Sequence, residues 1–253
     1  MAAGQNGAHG TNGVQNGANG VTKVKALPKS FDTIADTIKA FERGEFVIVL
    51  DGTHRENEGD LIIAAQDCTP AKLSFMIRYT SGYICAPLSS ARADALDLPL
   101  MVPNNTEKQR TAYTITVDAE HPSMTTGISA QDRACTANML ADPRAGPASF
   151  RRPGHVLPLR AKPGGVRERF GHTEAAVELC RLAGKEPAAF ICEMVLDGEE
   201  VEGVPERHGG GMMRRDDCLE FGRRWGLKVC TIEDLVAYVE EREGKLDTPG
   251  ADY

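Results

Sequence analysis

The chain has 253 residues, 41% of them hydrophobic and 26% charged, with a formal net charge of -7. That length suits one large domain with its own core. The negative balance gives no general attraction for nucleic acid, and no apolar run is long enough to span a bilayer, so neither nucleic acid nor membrane is an expected partner. Seven cysteines with no C-x-x-C pair and no secretory signal fit reduced thiols in a cytoplasmic protein.

Residues 1–25 form a Gly- and Asn-rich tail, with no Lys, Arg, Asp or Glu as far as Gly20, and are expected to be disordered. Residues 26–244 are expected to form the folded domain and 245–253 a flexible end. A first helix is expected from a Ser30 cap to Gly44, with Phe31, Ile34, Ile38 and Phe41 at helical spacing. Apolar runs at Phe46–Leu50 and Leu61–Ala65 read as buried strands enclosing the acidic loop Arg55-Glu56-Asn57-Glu58-Gly59-Asp60. Thr69 and Pro70 start a second helix whose buried face is Leu73, Met76 and Ile77, and Gly82 closes it. A short buried strand at Tyr83–Ala86, a helix at Ser90–Leu96 and a strand at Tyr113–Val117 follow. Ser129 with Asp132 marks a helix start running to near Ala141.

Between Arg144 and Arg169 lie seven basic residues and one acid, a segment suited to a small anion, interrupted by an apolar strand at Val156–Leu159. Arg169-Phe170-Gly171-His172-Thr173 then opens a helix with Ala176, Val177, Cys180 and Leu182 or Ala183 on its core face. A strand at Ala188–Leu196 turns at Asp197-Gly198, a hairpin signal, and two more helices end near Trp225 and Glu243, the second starting at Thr231. Strands and helices mix without regular alternation, which predicts an α+β fold: a single layered domain with a mixed β-sheet flanked by helices. No Walker A loop and no G-x-G-x-x-G occurs.

Three carboxylates within six residues at Glu56, Glu58 and Asp60 suit a magnesium ion shared with a phosphorylated substrate, or equally a solvated acidic turn. Thr173 and the N–H groups after it make either a phosphate site, with Arg169 adding a planar fork of donors, or an ordinary helix cap. His172 could ligate a metal or be structural. Glu193 lies in the apolar run Phe190–Val195, where a charge needs an edge strand facing water or a function. Cys85 reads locally as core filler, and His155 says little alone.

Taken together, R-E-N-E-G-D at Arg55–Asp60, T-T-G-I-S-A-Q-D-R at Thr125–Arg133, G-H-V at Gly154–Val156 and R-F-G-H-T-E-A-A at Arg169–Ala176 resemble the 3,4-dihydroxy-2-butanone 4-phosphate synthase family of riboflavin biosynthesis. The resemblance covers roughly Ser30 to Val239. It implies a magnesium-dependent lyase, with manganese as an alternative ion, that converts D-ribulose 5-phosphate into 3,4-dihydroxy-2-butanone 4-phosphate and formate. It assigns the metal, one or two ions, to Glu56 and His172. Arg55, Asp60, Arg169, Gly171 and Thr173 would bind substrate, and His155, Glu193, Cys85 and Glu58 would be catalytic. The first base stays open among Glu58, Asp60, Glu193 and Cys85. A homodimer with sites near the subunit interface is also implied. Many relatives carry a fused GTP cyclohydrolase II domain whose zinc-binding cysteine cluster is absent here, so only the butanone step is expected. The alternatives are a carbamoyl-adenylate synthase-like enzyme of similar fold and a non-catalytic phosphate-binding subunit.

Overall fold

A computed structural model describes residues 30–246, so the expected tail at 1–25 and most of the expected C-terminal end lie outside the described residues. In chain order the elements are α1 (Ile34–Glu42), β1 (Val47–Leu50), β2 (Gly59–Ala64), α2 (Pro70–Tyr79), β3 (Cys85–Leu88), α3 (Ser90–Ala95), β4 (Val117–Ala119) and α4 (Ala130–Ala141). There follow β5 (Phe150–Arg160), α5 (His172–Leu182), β6 (Ala189–Glu193), β7 (Val195–Leu196), β8 (Glu199–Glu200), β9 (Arg207–His208), β10 (Gly211–Met212), α6 (Arg215–Trp225), β11 (Lys228–Thr231) and α7 (Ile232–Glu243).

Seven strands form one mixed sheet in the order β11-β1-β2-β6-β3-β5-β4. The pairs β1–β11 and β3–β5 are parallel and the rest antiparallel. Side chains alternate across a sheet, and the alternation divides the core in two. Ile48, Leu50, Leu61, Ile63, Phe190 and Cys192 pack beneath α2, α3, α4 and α6. Val47, Val49, Ile62, Ala64, Ala189 and Ile191 pack beneath α1, α5 and α7. This is the expected α+β layered domain with helices on both faces.

Several boundaries differ from the sequence expectation. Thr33, not Ser30, caps α1, its side chain accepting from the Asp36 N–H at 3.2 Å, which repeats the T-x-x-D arrangement found at Thr231 and Asp234. β2 begins at Gly59 rather than Leu61, so Asp60 belongs to the sheet and not to the loop. Tyr83 is 60% exposed and precedes β3, which runs on to Leu88. Tyr113–Val117 is not a strand: Tyr113 and Thr114 make single bridges, and β4 starts where that stretch was expected to end. Val177 and Ile77 are only half-buried. Asp197-Gly198 does not turn a hairpin; it sits within a two-part ribbon in which β7 pairs β10 and β8 pairs β9. β5 is eleven residues long rather than four, and β11 was not foreseen.

Candidate active site

One end of β2, β6 and β3 opens into a cleft beneath the start of α5. Alternation decides which side chains reach it. Asp60 follows the parity of Ile62 and Ala64, and Glu193 that of Ala189 and Ile191; Asp60 and Glu193 are register partners across β2 and β6. Cys85, opposite Ile191 on β3, points the same way. The loop after β1 adds Arg55, Glu56 and Glu58, and the turn into α5 adds Arg169, His172 and Thr173, all lining the cleft together with Thr111 and Tyr113.

Asp51 shapes the acidic loop. Its Oδ2 accepts from Arg55 Nη1 and the Glu56 N–H, both at 2.9 Å, and its Oδ1 from the Glu58 N–H at 2.8 Å. Arg55 also contacts Glu56. Burial works to raise the Glu56 carboxyl, but contact with His172 and the charge of Arg55 outweigh it and hold it at about 2. Glu58 moves the other way, raised by burial and by the neighbouring Glu56 and Glu193 charges. Burial pushes Asp60 up to about 7, with Glu193 and Glu56 adding to the rise and His172 opposing it.

His172 is the buried counterpart to these acids. Its Nε2 donates to the Val49 carbonyl at 3.2 Å, which leaves Nδ1 facing Glu56 Oε2 at 3.7 Å and Asp60 Oδ1 at 3.9 Å. Burial alone would lower the imidazole, yet the Asp60 charge and the Glu56 contact raise it to about 9. A ring nitrogen anchored on a carbonyl with its other nitrogen presented to carboxylates is the arrangement of a metal-ligating histidine. Donor atoms of Asp51, Glu56 and His172 lie within 4.8 Å of one another, and Asp60 Oδ1 is buried without a hydrogen-bond partner. A buried polar atom with no partner is costly, and a cation beside Glu56 and His172 would supply one. Oxygen donors plus one imidazole suit a hard divalent ion.

The anion end is equally specific. Thr173 is not the cap of α5; the cap is Gly171, which has no side chain to satisfy the first N–H groups. The Glu174 N–H is met by its own carboxylate, which leaves the His172 and Thr173 N–H groups and the helix dipole to a phosphate. Arg169, 4% exposed, lies beside them.

The other expected residues separate. Glu193 lines the cleft and accepts from Ser81 Oγ at 3.0 Å. Cys85 also lines it, but burial pushes its thiol well above the usual range, so it is a protonated wall group rather than a thiolate. His155 is not among the lining residues. It lies on β5 against Asp118, which accepts from its backbone N–H at 2.8 Å and faces its Nδ1 at 2.7 Å. Thr125 and Gly127, with Asp132 accepting from both, form the turn packed on that pair: a Cβ on Gly127 would meet Asp118 Oδ2 at 2.1 Å and His155 Nδ1 at 2.5 Å. Asp51, Thr111, Tyr113 and Asp118 were not foreseen. Asp51 carries a legible signal, since it follows Val49 at strand parity and so falls on the same face.

A mixed-sheet α+β domain with buried carboxylates, an anchored imidazole and a helix start without a side-chain cap is the arrangement of a metal-dependent enzyme. The chain belongs to the 3,4-dihydroxy-2-butanone 4-phosphate synthase family, whose model matches residues 35–238. It is 63% identical over 227 residues to the 3,4-dihydroxy-2-butanone 4-phosphate synthase of Pyricularia oryzae, covering 89% of this chain and 97% of that one. The Schizosaccharomyces pombe synthase is 49% identical over 211 residues, with 83% and 98% covered. A riboflavin biosynthesis protein of Salinispora arenicola is 50% identical over 218 residues, covering 86% of this chain and 49% of that one. Among solved structures, a 3,4-dihydroxy-2-butanone 4-phosphate synthase in complex with two magnesium ions superposes with a TM-score of 0.84 at 63% identity, over 85% of this chain and 100% of that one. The same enzyme name in a cation-free form gives a TM-score of 0.81 at 62% identity, over 85% and 100%.

Proposed function

We propose that the chain converts D-ribulose 5-phosphate into 3,4-dihydroxy-2-butanone 4-phosphate and formate, using magnesium held by Glu56 and His172 with Asp51, Glu58 or Asp60 near enough to share one or two ions. The observation that carries this reading is the meeting, in one cleft, of the acidic loop and the uncapped start of α5. When bound, the cation polarises the ketose carbonyl and its neighbouring hydroxyl. The uncapped N–H groups after Gly171 hold the phosphate, with Arg169 and Thr173 beside them, and Arg55 and Asp60 orient the sugar. Water lost from C1 is matched by the water that completes formate when C4 is cleaved, so substrate and products balance.

Each proton transfer needs a group that changes protonation near neutrality. Asp60 and Glu193, register partners that both line the cleft, are the carboxylates placed for it. The protonated Cys85 thiol is suited to shaping the wall rather than to taking the first proton. Manganese, which shares magnesium's preference for oxygen ligands, is expected to substitute. A homodimer is part of this reading: His155 lies outside the cleft of its own chain, and Tyr83, Leu100, Met101 and Val102 present exposed apolar surface near Thr111 and Tyr113. The absence of a helix long and apolar enough to cross a membrane, among the described residues, is consistent with the cytoplasmic placement suggested by the reduced thiols.

The test is formate production, followed by NMR, from the purified chain and D-ribulose 5-phosphate, with magnesium and then with EDTA. Metal-dependent formate is expected. A folded, magnesium-loaded sample that releases none would sink the proposal and favour a phosphate-binding subunit. Replacing His172 by alanine is expected to abolish turnover and weaken magnesium binding; full activity would overturn the metal assignment.

A further inference from the structure

The segment from Asn105 to Tyr113 forms one wall of the cleft through Thr111 and Tyr113. Its local shape is its own. Asn105 Nδ2 donates to the Thr111 carbonyl at 2.8 Å, and the Glu107 carboxylate accepts from the N–H groups of Gln109 and Thr111 at 2.7 and 2.8 Å. Nothing in those bonds fixes where this strap lies relative to α5. Its far end is held to β5, where the Arg160 N–H donates to the Ala112 carbonyl at 3.0 Å and Tyr113 bridges Leu159; the link between its Gln109–Thr111 part and α5 is made by Arg169. Its Nε and Nη2 donate to the Gln109 carbonyl at 3.3 and 3.1 Å, and Nη2 donates again to Thr111 Oγ1 at 3.0 Å.

Arg169 is itself held by Glu174, in the first turn of α5. Glu174 is 1% exposed; its Oε2 accepts from Arg169 Nη1 at 2.6 Å and its Oε1 from the Lys162 N–H at 3.0 Å. The clamp runs directly over Gly171, where a Cβ would stand 2.1 Å from Arg169 Nη1 and 2.8 Å from Glu174 Oε2. Of the five guanidinium N–H groups, four are engaged by protein acceptors, which leaves one on Nη1. Arg169 therefore acts first as a tie between strap and helix, and its direction is set by a carboxylate that does not line the cleft.

We propose that Glu174 is a positioning residue for the reaction: by locking Arg169, it holds the Gln109–Tyr113 strap against the start of α5 as the wall of the substrate cleft. The inference rests on the phosphosugar reading of that cleft. Glu174 touches neither the sugar nor the reacting atoms, so its loss acts through substrate affinity and strap order. Glutamine in its place keeps the shape but has one acceptor oxygen for two donors: with that oxygen on the Lys162 N–H, its amide NH2 faces Arg169 Nη1 and the charge-assisted bond is lost.

The experiment compares the wild-type chain with Glu174→Gln, and with Arg169→Lys, which keeps a cation for Glu174 but loses the planar fork that reaches the Gln109 carbonyl and Thr111 Oγ1. Hydrogen exchange of the amides from Glu107 to Tyr113 and the kinetics of D-ribulose 5-phosphate turnover with magnesium are both read. In a folded Glu174→Gln chain, strap exchange is expected to accelerate about tenfold, with KM rising about tenfold and kcat held within about threefold. Unchanged strap exchange, or a loss confined to kcat, would overturn the proposal. If Glu174→Gln does not fold, Arg169→Lys decides: faster strap exchange supports the tie, and wild-type exchange refutes it. Should the wild-type chain release no formate, the functional reading fails, while the exchange comparison still reads the tether.

Discussion

Asp60 carries the largest electrostatic conflict in the cleft. It is buried, its Oδ1 has no partner, and its carboxyl is pushed to about 7. A carboxyl that binds its proton more tightly when folded contributes stability that is fully present below the unfolded value, about pH 4, and is lost as pH rises through about 7. His172, raised to about 9, loses its share over the window from about pH 6.5 upward. Glu56, held at about 2, has the opposite sign, and its contribution is lost as pH falls toward 2. The metal-free protein should therefore weaken from about pH 5 to about pH 9. Asp60→Asn removes the most costly of these charges but also an attraction to His172. It should raise metal-free stability at pH 8 by about 1–3 kcal/mol, measured by urea unfolding, while eliminating turnover. A variant less stable than wild type would show that Asp60 is compensated within the chain alone. The acidic motif made Asp60 conspicuous in the sequence; its burial was not conspicuous, because two residues of strand were hidden in what read as loop.

Among the elements, β2 and β6 were legible to within two or three residues, because apolar runs bounded by turns give both length and parity, while of β3 only Cys85 and Ala86 fell in the expected stretch. That parity also places Asp60, Glu193 and Cys85 on one face. β5 was not legible. Its first half, Arg151 to His155, is polar and contains Pro153, features that argue against a strand interior; β4 pairs with it through a register shift between Val117 and Asp118. Gly154 lies at that shift, where a Cβ would stand 2.0 Å from the Val117 carbonyl carbon and 2.2 Å from the Asp118 N. Both are backbone atoms, so no side chain can move aside. Gly154→Ala should cost on the order of 3 kcal/mol in a denaturation experiment. It should also displace Asp118 and with it His155, whose backbone and ring both depend on that carboxylate. A loss under about 0.5 kcal/mol would mean that β4 yields freely. Strand β11 escaped notice for a different reason: four residues, Lys228–Thr231, are too short to show a period, and only their parallel pairing with β1 makes them a strand.

At the scale of the whole molecule, the cleft couples folding to metal. Its walls come from the loop after β1, from β2, β3 and β6, from the strap before β4 and from α5, so the ligands converge only when these parts are in place. A cation that binds the folded chain and not the unfolded one stabilises it by about 2.7 kcal/mol at a hundred times its Kd. For a chain of this size that corresponds to a rise in Tm of about 2–4 °C per kcal/mol. The proposed ligation by Glu56 and His172 needs the His172 Nδ1 free, so the cation must displace the proton held at about 9, and its charge beside Asp60 opposes the proton held there at about 7. Magnesium should thus raise Tm more at pH 8.5 than at pH 6, the reverse of the metal-free trend, and EDTA should remove the difference. Calorimetry on wild type and His172→Ala at both pH values separates this from general salt effects. A magnesium shift that survives in His172→Ala, or that is independent of pH, would place the cation away from Glu56, Asp60 and His172.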